Sequence, residues 1–489
     1  MNRRNYVFSI IFVVLILSAY PLYQMAQTRG ILFYQNAFDE ATYLQYDYSR
    51  INGNLSRPTQ LLVTLIHKAG FSAGWVNFML DTFCLLFFPL VFRKVFFQLG
   101  YEERNANVLS LLAMLLPALS EGLNPLVNRL FYKGLEHGLL YWVTLPETWS
   151  LPILRSPEPQ LSLLLLGFFI CLSLRVKKYW PLYFGIPFFY SFISIPMLFI
   201  VLSLHLNDLL KKRYQALIFA PVASFIIVSF LLWANFSYAL SPEIKEMFVR
   251  TRLPLLSLTS CASLLLVWIF WRKIEARFRY LAFLTALSPM VVANQQVLTG
   301  WFFHPTNYEQ YFGVLAVTCV LVLAIGRSRQ MQVGALIIVF LFIVDLGRVI
   351  FKSNLVVNNK IQWTPELANE LKSDSAHVAV NDVELSSRLS MAYSKQPITF
   401  FAYSQIFPKM APAHFKEYLC LKQEIMGKPD IAIQFKDVFA QLDNAYRYTG
   451  NDFILIHVGR KSQFDVKYDP NLKPENCPPV LTKYFLVRP

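Results

Sequence analysis

Eleven apolar runs follow one another through the first 351 residues, separated by polar segments. They cover 5–26, 75–97, 106–120, 160–176, 180–191, 194–210, 214–235, 254–271, 279–296, 311–326 and 331–351. A helix needs about 20 predominantly apolar residues to cross a bilayer; several runs reach that length, while 106–120, 180–191 and 194–210 are short. Only 15% of the 489 residues are charged, against about 25% in ordinary soluble chains, too few to cover a soluble surface. The apolar content excludes disorder, and six cysteines in so long a chain exclude a disulfide scaffold. The expected fold is mostly α: a polytopic membrane helix bundle over 1–351, with a small α/β domain outside the membrane over 352–489.

The basic residues give this bundle an orientation. Alternate loops hold Arg3 and Arg4; Arg93, Lys94 and Arg104; Arg175, Lys177 and Lys178; Lys211, Lys212 and Arg213; Arg272, Lys273, Arg277 and Arg279; and Arg327 and Arg329. Only four acids accompany them: Glu102, Glu103, Asp208 and Glu275. Cytoplasmic loops retain Lys and Arg because translocating them is unfavourable. The N-terminus is therefore expected inside and the C-terminal domain outside, as in a bacterial inner-membrane protein with a periplasmic tail. The net charge of +15 is concentrated in these loops, so it records membrane orientation and not a nucleic-acid surface.

Both flanks of 179–210 are cytoplasmic on this reading, so the stretch must cross and return within about thirty residues. Pro181, Pro187 and Pro196 interrupt its backbone, which is tolerated at membrane depth only where protein or a watery cavity receives the freed polar groups. The alternative is one long tilted helix with a cationic flank outside. Residues 1–20 have a second reading too, as a cleaved signal, although no small-x-small cleavage site follows convincingly. No P-loop, dinucleotide fingerprint, zinc-type Cys/His spacing or internal repeat is present.

Polar chemistry gathers in three outer loops, 27–74, 121–159 and 294–310. The first contains Asp39 and Glu40, then Tyr43, Tyr46 and Tyr48, then Arg50 and Arg57. Adjacent carboxylates at a membrane surface can take a proton from an attacking hydroxyl or hold a divalent cation; they can equally cap an interfacial helix. The second loop ends in Arg155-Ser-Pro-Glu-Pro-Gln160, where two prolines stiffen the backbone around Glu158. Arg155 suits a lipid phosphate through bidentate hydrogen bonds, or snorkels toward headgroups. The third loop carries His304 and Glu309 as its titratable groups. A lone histidine is more often a solvated or hydrogen-bonded side chain than a working one. Asp81 and Asp345 lie in or near apolar runs, where ionisable groups are costly and often functional. Asp345 has Arg348 three residues on, the spacing of a helical ion pair; Asp81 has no evident partner.

These features, in this order, resemble the GT-C superfamily of integral-membrane glycosyltransferases, especially bacterial members that use polyprenyl-phosphate-linked sugars. The matching elements are Asp39-Glu40 after the first span, Arg155-Ser-Pro-Glu-Pro-Gln160 opening a later one, and the short pair 180–210 with Tyr183-Phe-Gly-Ile-Pro-Phe-Phe-Tyr190. Asn294-Gln-Gln, Thr299-Gly300 and His304 resemble a further outer-loop pattern. The tail, with Asp382, Tyr393 and Glu417-Tyr-Leu-Cys-Leu-Lys-Gln-Glu424, resembles tails of such proteins. The resemblance runs along the whole chain through short motifs.

The resemblance implies sugar transfer from a polyprenyl-phosphate donor to an acceptor hydroxyl on a glycan, lipid or protein. Asp39 would act at the transfer centre with Glu40 as its neighbour. Arg155 and His304, with Arg57, Glu158 and Glu309 beside them, would hold the phosphate and sugar. The second acidic pair that some members use is not evident, which leaves metal dependence open and Asp39 as the ligand if a divalent cation is used. A transporter or flippase of lipid-linked glycans, or a non-catalytic envelope-assembly protein, is the competing class. Transporters favour midplane charges and repeat symmetry, whereas here the polar groups lie to one side and no repeat is seen.

In the tail, 376–380, 397–401 and 452–458 read as strands from their apolar, β-branched runs, and 413–425 and 435–446 as helices. Cys420 and Cys477 are its only cysteines, and an outer compartment permits a disulfide between them.

Overall fold

The computed structural model describes residues 1–27, 62–63, 65–66, 68–117, 154, 159–189, 191–210, 254, 256–299, 308–326, 328–361, 378–380, 419–420, 422–437, 439–440, 477 and 483–485. These are overwhelmingly helical. Two compact units result, one of Met1–Ser18, Leu80–Ser237 and Arg250–Arg348, the other of Ala19–Met79, Tyr238–Val249 and Val349–Pro489.

The principal helices are α1 (Arg3–Gln27), α2 (Ala73–Gln98), α3 (Glu103–Leu115), α4 (Gln160–Val176), α5 (Trp180–Gly185) and α6 (Ser191–Leu210). They continue with α7 (Leu258–Phe270), α8 (Ala276–Ala293), α9 (Gln295–Thr299), α10 (Val314–Ile325) and α11 (Arg329–Ile361). By length and composition, Gly74–Gln98 and Arg329–Arg348 are long and apolar enough to cross a membrane; Gln160–Val176, Phe192–Asp208, Leu258–Phe270 and Tyr311–Ile325 are shorter apolar helices.

Local chemistry explains where the helices stop and bend. Gly100, with φ +90, ends α2 in a left-handed turn whose amide donates to Phe97 O at 3.0 Å, while Tyr101 N reaches Phe96 O at 3.1 Å. Ser257 starts α7 by accepting from Ser260 N at 3.1 Å, a side-chain N-cap. Pro289 within α8 has no N–H for the Thr285 carbonyl one turn back. The Ser288 hydroxyl donates to that carbonyl instead, at 2.9 Å, and Met290 N donates to Ser260 Oγ at 2.9 Å, which ties the bend to α7.

The first unit turns apolar side chains both inward and outward. Leu109, Leu111, Val320 and Ile343 are wholly buried, yet Ile337, Leu341 and Val344 on α11 and Leu265, Trp268 and Ile269 on α7 are exposed, Trp268 by 76%. On α1, Phe8, Ile11, Phe12 and Leu15 face outward while Tyr6, Ile10, Val13 and Leu17 are buried. Soluble monomers seldom present such apolar stripes.

Segments rich in Lys and Arg meet at one end of this unit. Arg93 Nη2 pairs with Glu103 at 2.6 Å, and its Nε donates to Asn107 Oδ1 at 2.6 Å. Asn107 Nδ2 in turn donates to Met1 O at 3.1 Å. Tyr101 stacks on Phe278 at 6.3 Å, and Lys273 Nζ approaches Met331 Sδ at 3.7 Å. The segments 1–4, 93–107, 272–280 and 326–332 are thereby gathered.

Several expectations need correction. The stretch 180–210 is neither the two spans 180–191 and 194–210 nor one long helix. The six-residue α5 and a 3₁₀ turn, Ile186–Phe188, precede the 20-residue α6. At about 1.5 Å per residue, α5 alone is too short to cross a membrane. The loop 294–310 contains α9 and opens a π-helical turn, Tyr308–Gly313. α11 runs on to Ile361 through the expected division after residue 351, and the two compact units part between Arg348 and Val349. The run 214–235 lies outside the described residues.

In the second unit, β1 (Val378–Val380) pairs in parallel with β2 (Lys483–Phe485), Ala379 opposite Tyr484. The helical residues 419–426 and α12 (Pro429–Ala432) surround buried Cys420, Ile425, Phe435 and Phe439. Cys420 and Cys477 form a disulfide with Cα atoms 5.3 Å apart. The expected strands 397–401 and 452–458 lie outside the described residues.

Candidate functional site

Two buried carboxylates, Asp81 and Glu309, lie in the first unit away from its cationic end. Each is held by a helix that begins beside it. Asp81, two turns into α2, is 5% exposed. Gln160, the first residue of α4, is fully buried and donates its Nε2 to Asp81 Oδ1 at 2.7 Å. This corrects the reading of Asp81 as partnerless. The partner is the last residue of the Arg155–Gln160 run, so that motif ends in a structural anchor.

Glu309 sits in the π-helical turn that precedes α10 and is 7% exposed. Its Oε2 accepts from Thr259 N at 3.0 Å and from Thr259 Oγ1 at 2.5 Å. Thr259 belongs to the first turn of α7, where backbone N–H groups lack partners inside the helix. The close approach depends on Gly313, since a Cβ at that position would collide with Thr259. Phe192 from α6 closes the far side, its ring 4.9 Å from Tyr308 and 6.0 Å from Tyr311. Glu309 Oε1 is buried without a hydrogen-bond partner.

Two effects compete at this carboxyl. The α7 N-terminus favours an anion by about 0.3–1 kcal/mol, whereas withdrawing an ion from water costs several kcal/mol. Burial prevails and pushes the Glu309 carboxyl above its ordinary value, against the opposing pull of the Thr259 hydrogen bonds and of the Ser257 hydroxyl nearby.

The motif 183–190 also acquires a structural role. Tyr183 Oη lies 2.7 Å from His205 Nδ1, and the Tyr179 ring meets the same imidazole at 5.0 Å, fastening α5 to α6. Asp345 forms the expected ion pair with Arg348, at 2.7 Å.

Asp39, Glu40, Arg57, Arg155, Glu158 and His304 lie outside the described residues. Glu309 is the one sequence-selected candidate that is described. Gln160 and Thr259 were not singled out as ligands of these carboxylates, and their pairings span 79 and 50 residues of chain, beyond any local spacing signal. Among the described residues no group of three His, Cys, Asp or Glu side chains is placed to hold a metal ion. No protein-family model matches the chain, and neither curated proteins nor solved structures provide a match.

Proposed function

We propose that the chain is a polytopic membrane glycosyltransferase of the GT-C type, with eleven spans, a cytoplasmic N-terminus and a periplasmic tail. It moves a sugar from a polyprenyl-phosphate donor to a hydroxyl of a glycan, lipid or protein acceptor on the outer face. The observation that carries this reading is the polarity of the first unit. Cationic segments gather at one end, and the buried carboxylates Asp81 and Glu309 stand away from it, on the segments joined to the outer loops. The outward apolar stripes of α1, α7 and α11 suit contact with lipid. The Cys420–Cys477 disulfide suits an oxidising outer compartment.

In the reaction the acceptor oxygen attacks the anomeric carbon and forms the new C–O bond. The old C–O bond breaks, and its electron pair leaves on the polyprenyl phosphate. Asp39, with Glu40 beside it, takes the acceptor proton as general base. Arg155 and His304, aided by Arg57, stabilise the negative charge on the departing phosphate. Glu158 and Glu309 would complete the binding of sugar and phosphate. A divalent cation, where used, would be held at Asp39.

Mass spectrometry of envelope glycans from a deletion strain tests the reading. Loss of a defined sugar, restored by the wild-type gene and not by Asp39→Asn, is the expected result. An unchanged glycan profile contradicts it.

A further inference from the structure

Glu309 has an incomplete set of partners. Both Thr259 donors converge on Oε2, which fixes the plane of the carboxyl and assigns Oε2 the role of acceptor. Oε1 is buried and meets no donor. An ionised carboxylate needs donors on both oxygens when it is cut off from water, and a buried atom left without one calls for an explanation. Among the described residues no cation supplies the missing interaction. The π-helical turn is packed by α6, α7, α8 and α10. From α7 the nearby titratable group is the thiol of Cys261, which is no cation. The charged residues of α6 and α8 described here, Asp208, Arg277 and Arg279, stand at the opposite ends of those helices, and α10 carries none.

We propose that Glu309 is held as the neutral acid, and that its Oε1–H is a hydrogen-bond donor reserved for an oxyanion of the ligand. Thr259 defines which oxygen bears the proton, because donors on Oε2 leave Oε1 as the hydroxyl. A neutral acid gives a phosphate oxygen a donor without bringing a second negative charge beside it. The choice of phosphate as the oxyanion rests on the transferase reading; the protonation state does not. The raised ionisation range of the buried carboxyl agrees with this arrangement.

The test is infrared spectroscopy of the full chain in lipid nanodiscs, with glutamate labelled by carbon-13 so that Asp81 does not contribute. At neutral pH the wild type should show a protonated-carboxyl C=O band that Glu309→Gln lacks. Adding a polyprenyl phosphate should move that band to lower frequency. A shift with inorganic phosphate as well identifies any phosphate as sufficient; a shift with the lipid alone identifies the lipid-borne group.

Absence of the band, or a band that neither probe moves, overturns the proposal. Should Glu309→Gln fail to fold, the wild-type titration decides. The labelled band must outlast the pH range in which ordinary carboxyls ionise, and its loss within that range overturns the proposal. None of these readings measures sugar transfer. A missing band therefore leaves the transferase reading standing, while absent transfer with the band intact sinks the transferase reading alone.

Discussion

Gln160 and Asp81, 79 residues apart, share a buried hydrogen bond of 2.7 Å that joins the start of α4 to the third turn of α2. Gln160→Met keeps the length of the side chain and removes the donor. Leaving a buried polar group without one partner costs about 1–3 kcal/mol, so this variant should unfold at lower temperature than wild type in matched nanodiscs. Asp81→Asn retains an acceptor and should lose much less. Equal stability of Gln160→Met and wild type would show that the bond contributes nothing.

Glu309 makes stability depend on pH with a definite sign. A carboxyl raised in the folded state binds its proton more tightly there than in the unfolded chain. Its contribution is complete below the ordinary carboxyl range and declines as pH rises through the raised value. The wild type should therefore lose stability relative to Glu309→Gln across that interval, as measured by thermal unfolding of both proteins at a series of pH values. A difference independent of pH would remove the linkage.

The bend at Pro289 gives a coupled pair. Ser288→Ala strips the donor from the Thr285 carbonyl and should cost about 1 kcal/mol. In a Pro289→Ala background the new amide can serve that carbonyl, so the same serine change should cost less. Additive effects in the double-mutant cycle would refute this account of the bend.

Membrane orientation predicts opposite labelling of the two ends. In an otherwise cysteine-free chain, Arg104→Cys should react with an impermeant maleimide only after the membrane is opened. In sealed cells whose outer envelope has been removed, Cys477 of the wild type should react from outside once the disulfide is reduced. Labelling of Arg104→Cys in intact vesicles of the same orientation would invert the assignment.

The sequence was legible where one local rule decided the outcome. Asp345 and Arg348 pair because three residues of helix bring them together, and prolines with cationic flanks marked 180–210 as irregular. Hydropathy located α2 and the apolar part of α11 but not its polar continuation to Ile361, since a helix continues while its backbone bonds and side chains allow, whatever the solvent preference. The partners of Asp81 and Glu309 were illegible for another reason. They come from helices distant in sequence, and nothing in Gln160 or Thr259 alone distinguishes a buried donor from an exposed one.

Sugar transfer by the purified protein in proteoliposomes tests the central claim most directly. With a radiolabelled polyprenyl-phosphate sugar and an envelope acceptor extract, the wild type should release polyprenyl phosphate and label the acceptor. Asp39→Asn should do neither at an equal level of folded protein. Transfer by Asp39→Asn at the wild-type rate would remove Asp39 from the reaction, and no transfer by the wild type with any such donor would contradict the assignment of a glycosyltransferase.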